Sequence, residues 1–315
     1  DCMNIIFFHP SFNTDEWIQG IQARLPDAKV RQWVSGDQEP ADYALVWQPP
    51  YEMLANRQGL KGIFALGAGV DAIFKQESKN PGTLLADVPL IRLEDTGMGR
   101  QMQEYAITSV LHYFRRMDEY KRYQEQRLWN PIAPHNRKEF VIGVLGAGIL
   151  GRSVIGKLME FDFNVRCWSR TSKQLDSVES FYGKEQLGDF LSGCKVLINL
   201  LPDTPDTRGI LNLSLFSQLK SGSYVINLAR GAQLVEQDLL VAIDKGYIAG
   251  ATLDVFAEEP LSNMHPFWTH PRINVTPHIA ANTIPEAAMD VICENIRRMV
   301  QGEMPTGLVD RVRGY

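Results

Sequence analysis

The stretch that most constrains the fold of this chain is "FVIGVLGAGILGRSVIGKLMEF", residues 140–161. An apolar, strand-like run leads into a Gly-x-Gly-x-x-Gly loop, and a helical pattern follows from Ile149 to Phe161. In such a unit the glycines permit a tight turn, close approach to a pyrophosphate and close helix–strand packing. The helix N-terminus adds free N–H groups. A bare tight turn is the alternative, but the setting favours a dinucleotide site formed by Gly146, Gly148, Ile149, Leu150 and Gly151.

The loop after the second strand of this unit indicates which dinucleotide binds. Asn164–Trp168 reads as a strand, and the carboxylate that usually follows it to hold a ribose hydroxyl is missing. Ser169, Arg170, Thr171 and Lys173 stand there instead. Two cations and two hydroxyls suit a 2′-phosphate, which a carboxylate would repel. The sequence therefore predicts NADP(H) rather than NAD(H), with a solvated basic loop as the alternative.

Strand-like runs alternate with helical or turn-rich stretches along the whole chain. The runs in the first third are 4–8, 29–33, 43–47, 62–66 and 90–93, and those in the second half are 141–145, 165–168, 196–200, 224–228, 250–255 and 274–276. One long helix is predicted from about Gly99 to Gln126, and a last one from about Pro285 to Gln301. The alternation predicts an α/β fold: two doubly wound parallel-sheet, Rossmann-like domains with a cleft between them.

Composition narrows the possible partners. The 315 residues carry a net charge of −5, so nucleic acid is not expected. No apolar segment approaches the roughly 18 residues of a membrane span, and the first residues do not resemble a secretory signal. The four cysteines have no metal-ligand spacing and suit a reducing compartment. We expect a cytoplasmic protein with no membrane partner and no metal site.

Three polar residues in the second half follow predicted strands and could carry chemistry. Arg230 can hold a carboxylate and polarise the adjoining carbonyl. His278 can donate a proton at neutral pH, and Glu259 could orient the imidazole and stabilise its charged form. Each residue alone has a structural explanation, as an ion pair, a solvated acid or a packed turn residue. Together, beside a dinucleotide, they predict a carbonyl reductase.

The first domain offers candidate substrate contacts. "FALGAGVDAI" places the amides of Ala68, Gly69 and Val70 in a glycine loop after a strand, where they could bind a substrate carboxylate. A second nucleotide site is the competing interpretation, but the spacing does not match. Trp47 ends another strand and Met98 precedes the long helix. Both could limit the size of the substituent on the reacting carbon of the substrate, C2. Ordinary core positions are the alternative for both residues.

The motifs as a set resemble one family, the D-isomer-specific 2-hydroxyacid dehydrogenases, over essentially the whole chain. The glycine fingerprint, "NLLPDTPDTRGILN", "NLARG", "DVFAEEP" and "TPH" occur in the family's order and spacing. "LEDTGMGRQMQEYA" and "VDRVRGY" resemble a bacterial branch that reduces glyoxylate and hydroxypyruvate. The missing acid at Ser169 departs from the commoner pattern of the family and supports NADP.

The resemblance implies a function and a role for each site residue and each domain. Arg230, Glu259 and His278 would be catalytic, and Arg230 would also bind the substrate. Leu201, Pro202 and Thr207 would line the cofactor cleft, Asp254 would lie near the nicotinamide, and Ala229 would also bind the cofactor. Residues 1–99 with 286–315 would form the substrate domain and 100–285 the NADP domain, in a homodimer. The implied reaction is reduction of a small 2-oxo acid by NADPH. A nucleotide-sensing module or a dehydrogenase for another 2-hydroxy acid remains an alternative.

Overall fold

Two parallel β-sheets organise the computed structural model, which describes residues 2–94 and 96–315. The first sheet has the order β2-β1-β3-β4-β5 and the second β12-β11-β10-β9-β6-β7-β8. The strands are β1 (Met3–Phe8), β2 (Ala28–Gln32), β3 (Tyr43–Val46), β4 (Gly62–Ala65), β5 (Leu90–Ile91), β6 (Val141–Leu145), β7 (Asn164–Ser169), β8 (Glu179–Tyr182), β9 (Cys194–Asn199), β10 (Ser223–Asn227), β11 (Ile248–Leu253) and β12 (Ile273–Val275). All neighbouring strands pair in parallel.

Helices lie in most of the connections between these strands, as is usual for parallel pairing. They are α1 (Thr14–Arg24), α2 (Tyr51–Leu54), α3 (Asp71–Lys79), α4 (Met98–Phe114), α5 (Met117–Glu125), α6 (Ile149–Glu160), α7 (Gly183–Leu191), α8 (Leu213–Gln218), α9 (Glu236–Asp244) and α10 (Pro285–Val300). Within the described residues, none of these helices combines the length and the apolar character that a bilayer crossing needs.

The chain divides into two units, one for each sheet. The first comprises the residues up to Gly97 together with Thr283–Tyr315, and the second comprises Met98–Asn282. These boundaries fall two residues before the predicted one at 99 and three before the predicted one at 285. The predicted class, two parallel-sheet α/β domains, is confirmed. What each unit binds, and the predicted cleft, stay predictions.

The first unit is completed by residues from the far end of the sequence. Helix α10 packs on α1, where Gly20 leaves room for the sulfur of Met289. The guanidinium of Arg24 pairs with Asp290 at 2.7 Å and with Glu286 at 2.6 Å. These contacts explain why residues 283–315 return to the first sheet.

Alternating side chains give the second sheet two apolar faces. In β6, Val141 and Leu145 pack in one cluster with residues of α7, α8 and α9, while Ile142 and Val144 pack in another with residues of α4 and α6. All five residues of β6 are buried, as expected of a central parallel strand. The glycine loop therefore follows a fully buried strand of the larger sheet.

Register brings the ends of six strands to one line across the second sheet. Leu145 aligns with Trp168 on one side and with Asn199 on the other. Asn199 aligns with Asn227, Asn227 with Leu253, and Leu253 with Val275. The loops that follow these residues therefore leave the same edge of the sheet, which we call the carboxyl edge.

Two details differ from the sequence predictions. The long helix predicted to Gln126 is interrupted after Phe114, because Arg116 adopts a left-handed conformation (φ 59°) and α5 begins at Met117. Helix α5 has no buried residue, so the apolar period that predicts one helix ends with α4. Strand β8 has no counterpart among the predicted strands. It lies at the sheet edge and is only partly buried, so its sequence lacks an apolar run.

Candidate active site

The glycine loop after β6 is shaped by close backbone contacts. Gly146 has φ +104°, and a Cβ there would lie 2.6 Å from the carbonyl oxygen of Leu200. A Cβ on Gly151 would lie 1.9 Å from the carbonyl oxygen of Gly146. A side chain at Gly146 would push the loop away from the chain after β9, and one at Gly151 would push α6 away from the loop. These two glycines are therefore required by the protein's own backbone.

Gly148 differs from its neighbours because its open side faces away from the described protein. It is the N-cap of the twelve-residue helix α6, and a Cβ there would have no heavy atom of the described residues within 4 Å beyond its chain neighbours. Ile149, the first helical residue, is half exposed. The N–H groups at this helix end are thus open to an approaching anion. The loop fits the pyrophosphate of a dinucleotide.

The loop after β7 presents cations to the same edge. Arg170, Thr171 and Lys173 are exposed, whereas Ser169 is the last residue of the strand and 6 % exposed. The Ser169 hydroxyl donates to the carbonyl of Thr171 at 2.8 Å, so in this structure it shapes the turn. The first acid after Ser169 is Asp176. The exposed side chains fit a 2′-phosphate, and the buried hydroxyl is the one member of the predicted set that is already hydrogen-bonded.

Arg230, Asp254 and His278 follow three adjacent strands, β10, β11 and β12. Gly231 brings the Arg230 segment against the next loop, because a Cβ on Gly231 would lie 1.8 Å from the carbonyl carbon of Phe256. Glu259 lies in this same loop. The carboxyl edge therefore gathers the three predicted catalytic residues within the second unit.

His278 and Glu259 form a direct pair. Nδ1 of His278 lies 2.7 Å from Oε2 of Glu259, and Oε1 of Glu259 accepts the N–H of Phe256 at 3.0 Å. Burial acts to raise the pKa of Glu259. The hydrogen bonds from His278 and Phe256, with the charges of His278 and Arg230, outweigh burial and hold the pKa below its ordinary value of 4.5. The carboxylate thus stays ionised and orients the imidazole through Nδ1. The second ring nitrogen, Nε2, lies on the other side of the ring from Glu259.

Asp254 holds the segment that carries His278. It is 1 % exposed, and its carboxylate accepts the hydroxyl of Thr276 at 2.7 Å and the N–H groups of Ile279 and Ala280 at 2.8 and 2.9 Å. The N–H of His278 donates to the Asp254 carbonyl at 2.9 Å, and His278 has φ +55°. A non-glycine residue in that region needs such support. The predicted position of Asp254 near a nicotinamide stays a prediction.

Two of the other histidines, His9 and His135, are poor proton donors at neutral pH. Burial lowers the pKa of His9 to about 4 and also, with the nearby charge of Arg116 and Lys195, that of His135 to about 4. Both rings are therefore neutral at neutral pH. His265 uses both ring nitrogens, one with Glu236 at 3.2 Å and one with the N–H of Phe267 at 3.2 Å. His278 differs in pairing with Glu259, which lies in the loop packed against the Arg230 segment.

The residues predicted to line the cofactor cleft follow β9 and β10. Leu201 and Ala229 are buried, while Pro202 and Thr207 are half-buried, and the Thr207 hydroxyl donates to the Pro202 carbonyl at 2.7 Å. These loops are held by three buried amides that are absent from the sequence predictions: Asn199, Asn227 and Gln233. The only sequence signal for the two asparagines is a polar residue at the end of an apolar strand.

The substrate residues predicted in the first unit form one group, with one exception. The indole of Trp47 lies against Gly67, where a Cβ would be 2.7 Å from the ring, and Ala68, Gly69 and Val70 follow directly. The N–H groups of these three residues donate no hydrogen bond within residues 2–94 and 96–315. Met98 is buried at the start of α4 and belongs to the second unit. Its predicted substrate contact stays a prediction.

A seven-stranded parallel sheet with a glycine loop, a basic loop and an Arg–Glu–His group at one edge defines a dinucleotide-dependent oxidoreductase of the α/β class. Residues 107–280 match the family model "D-isomer specific 2-hydroxyacid dehydrogenase, NAD binding domain". The chain belongs to the D-isomer specific 2-hydroxyacid dehydrogenase family. Within the described residues, no cluster of three or more His, Cys, Asp or Glu side chains could hold a metal ion.

Relatives and solved structures resemble the whole chain. Glyoxylate/hydroxypyruvate reductase A of Photorhabdus laumondii is 70 % identical over 313 residues, and that of Yersinia enterocolitica is 64 % identical; both comparisons cover 99 % of this chain and 100 % of the relative. A D-isomer specific 2-hydroxyacid dehydrogenase from Xanthobacter autotrophicus in complex with NADPH and MES is 38 % identical, with a TM-score of 0.93 and full coverage of both chains. An NADPH-dependent glyoxylate/hydroxypyruvate reductase from Sinorhizobium meliloti in complex with NADP and sulfate is 32 % identical, with a TM-score of 0.91, covering 99 % of this chain and 100 % of that chain.

Proposed function

We propose that the protein is an NADPH-dependent 2-hydroxyacid dehydrogenase that reduces glyoxylate to glycolate and hydroxypyruvate to D-glycerate. The observation that carries this proposal is the Arg230–Glu259–His278 group at the same sheet edge as the glycine loop. The glyoxylate/hydroxypyruvate reductase A relatives supply the substrate class. NADPH, when bound, supplies the hydride for the carbonyl carbon.

The cofactor assignment rests on two loops. The open backbone at Gly148 and the N-terminus of α6 would receive the pyrophosphate, and Arg170 with Lys173 would receive the 2′-phosphate. The loops after β9 and β10, which contain Leu201 and Ala229, would line the cleft beside them. NADP(H) is bound in the solved relatives from Xanthobacter autotrophicus and Sinorhizobium meliloti.

The protein's own part of the reaction is to hold the 2-oxo acid and deliver a proton. Arg230 would bind the carboxylate and draw electron density from the carbonyl oxygen. Protonated His278 would transfer its Nε2 proton to that oxygen, so that one hydride and one proton convert the carbonyl into an alcohol. Glu259, fixed on Nδ1, stabilises the charged imidazole before the transfer. In the first unit, Trp47 and the amides of Ala68, Gly69 and Val70 are the proposed substrate contacts.

A substrate panel tests the proposal. Purified protein is mixed with NADPH or NADH and with glyoxylate, hydroxypyruvate or phenylpyruvate, and loss of reduced cofactor is followed by absorbance. We expect turnover with the two small acids and a clear preference for NADPH. Cofactor binding without turnover on any acid would instead indicate a nucleotide-sensing module, and turnover confined to phenylpyruvate would indicate a different 2-hydroxy acid.

We also propose that the protein is a cytoplasmic homodimer. Apolar side chains stand exposed in and after α5, at Met117, Leu128 and Trp129, the last of which is 95 % exposed. A second copy covering them would remove apolar area from water. The four cysteines are free thiols, which suits the compartment that holds NADPH. Light scattering after size-exclusion chromatography should give twice the chain mass, and activity should fractionate with cytosolic markers.

A further inference from the structure

Three buried amide side chains lie at the carboxyl edge of the second sheet. Asn199 ends β9, Asn227 ends β10, and Gln233 lies in the turn after Arg230. Each is 0 % exposed. A buried amide costs free energy unless its N–H and C=O groups are hydrogen-bonded. The partners of these amides therefore indicate what the burial stabilises.

Gln233 connects two loops. Its Oε1 accepts the backbone N–H of Arg230 at 3.2 Å and Nδ2 of Asn199 at 2.7 Å. Its Nε2 donates to the carbonyls of Leu201 at 3.0 Å and Pro202 at 2.9 Å. One side chain thus ties the segment that carries Arg230 to the loop after β9.

Asn227 holds Arg230 from the other side. Its Nδ2 donates to the carbonyl of Arg230 at 3.2 Å, and its Oδ1 accepts the N–H of Ala229 at 3.3 Å. Both backbone polar groups of Arg230 are therefore bonded to buried amides. The backbone from which the guanidinium extends is fixed relative to β9 and β10.

The chemistry of this position demands a primary amide. The side chain at 233 must accept from two donors and donate to two carbonyl oxygens at once. An ionised carboxylate has no proton to donate and would face both carbonyl oxygens with its negative charge. A protonated carboxyl can donate to one of them and still accept.

We propose that Gln233 is a positioning residue that fixes Arg230 relative to the cofactor-lining loop at Leu201 and Pro202. The proposal rests on the proposed function, in which Arg230 binds the 2-oxo acid. Misplacing a substrate-holding group by about 1 Å can cost roughly 100-fold in rate. The buried amide therefore acts on catalysis through Arg230 without touching the substrate.

The test is the pH dependence of Gln233→Glu. At about pH 8 the ionised glutamate should lower kcat/KM for glyoxylate by about 10- to 100-fold relative to the wild type. Burial raises the pKa of a carboxyl, so lowering the pH to about 5.5 should protonate it and recover much of the loss. The measured quantity is the ratio of variant to wild-type kcat/KM, which removes the pH dependence of the wild type. Gln237→Glu, on the exposed face of α9, is the matched control and should give a flat ratio near one.

A second variant guards against misfolding. Gln233→Met keeps the volume without a charge, and it should lower kcat/KM at every pH while NADPH binding and the circular dichroism spectrum persist. A Glu variant with wild-type kinetics, or with a loss independent of pH, would overturn the proposal. So would variants that unfold at every pH, since Gln233 would then serve stability alone. A wild-type protein inactive on every 2-oxo acid would instead sink the proposed function.

Discussion

Two glycine loops follow buried strands in this molecule, one after β4 and one after β6, and their glycines serve different ends. In the loop after β6, Gly146 and Gly151 are required by backbone contacts at 2.6 and 1.9 Å from their missing Cβ atoms. In the loop after β4, the corresponding contact of Gly67 is with the indole of Trp47, a side chain. One loop keeps its own backbone compact, and the other makes room for an aromatic ring.

The difference separates two kinds of loop that look alike in sequence. The loop after β6 is held compact by its glycines and leaves the backbone at Gly148 open to a phosphate. Phosphates are common to every dinucleotide, so this loop does not distinguish one substrate from another. A loop that seats an indole presents a particular side chain, which can distinguish one small acid from another. We therefore expect changes in the second unit to affect chemistry and cofactor binding, and changes in the first to affect substrate preference.

The largest expected effect is that of His278→Gln. Removal of the proton donor should lower kcat by about 100- to 10,000-fold, because general acid catalysis typically contributes that much. NADPH affinity, measured by fluorescence titration, should stay near that of the wild type. A near-normal kcat would show that another group supplies the proton and that the histidine of the second unit is not the acid.

The next effect is that of Gly148→Ala. The structure has room for the added methyl group, so the melting temperature should change little. NADPH affinity should fall about tenfold or more, since the methyl group occupies the path of the pyrophosphate. Gly156→Ala, a glycine of α6 that also has open space beside it, is the control and should leave NADPH affinity unchanged. Equal NADPH affinities for the wild type and both variants would show that the loop after β6 does not receive the pyrophosphate.

A smaller effect is expected for Arg170→Ala. Loss of one cation facing the 2′-phosphate should weaken the preference for NADPH over NADH by about tenfold, mainly through KM for NADPH. Lys184→Ala removes an exposed cation after β8 and should leave the ratio unchanged. An unchanged preference for NADPH over NADH in Arg170→Ala would show that Arg170 is a solvated surface residue without a role in cofactor binding.

In the first unit, Trp47→Ala should change selectivity by a few-fold. Loss of the indole should lower kcat/KM for glyoxylate and raise it for phenylpyruvate, as expected when an aromatic wall is removed from a pocket. Gly67→Ala, which displaces the ring, should shift the same ratio without changing NADPH affinity. A uniform loss on every substrate, together with a lower melting temperature, would make Trp47 a packing residue only.

The smallest effect concerns pH and stability. The pKa of Glu259 is lowered in the folded protein, so its pairing stabilises the fold at pH values above 4.5, and that stabilisation is lost as the pH falls through the lowered pKa. Glu259→Gln should therefore lower the melting temperature by about 1–3 °C at pH 6, and this difference should shrink as the pH falls below 4.5. A melting difference that does not depend on pH would assign Glu259 a packing role.

The sequence predicted most of the fold because parallel strands are continuous apolar runs between turn signals. Residues 141–145 and 62–66 illustrate this, and the matching strands lie at Val141–Leu145 and Gly62–Ala65. The break of the long helix at Arg116 could not be predicted, because a single residue in the left-handed conformation does not change the apolar periodicity of the sequence. The polar edge strand β8 escaped for a similar reason.

The candidate site divides in the same way. Arg230, Asp254 and His278 could be found because each follows a strand, and the strands turned out to be neighbours. Gln233 could not be found, because its importance comes from hydrogen bonds to Arg230 and to residues between 199 and 207. The engagement of the Ser169 hydroxyl with Thr171 likewise depends on a rotamer that no local pattern encodes.

The return of α10 to the first unit has a consequence for the order of assembly during synthesis. Residues 98–282 are contiguous, so the second unit holds every segment of its core as soon as Asn282 has left the ribosome. The first unit must wait for Asp290 to reach Arg24 and for Leu308 to form its bridge with Ile91. Until then its apolar α1 face stays uncovered, so the unit whose strands begin earlier in the sequence is completed after the other one.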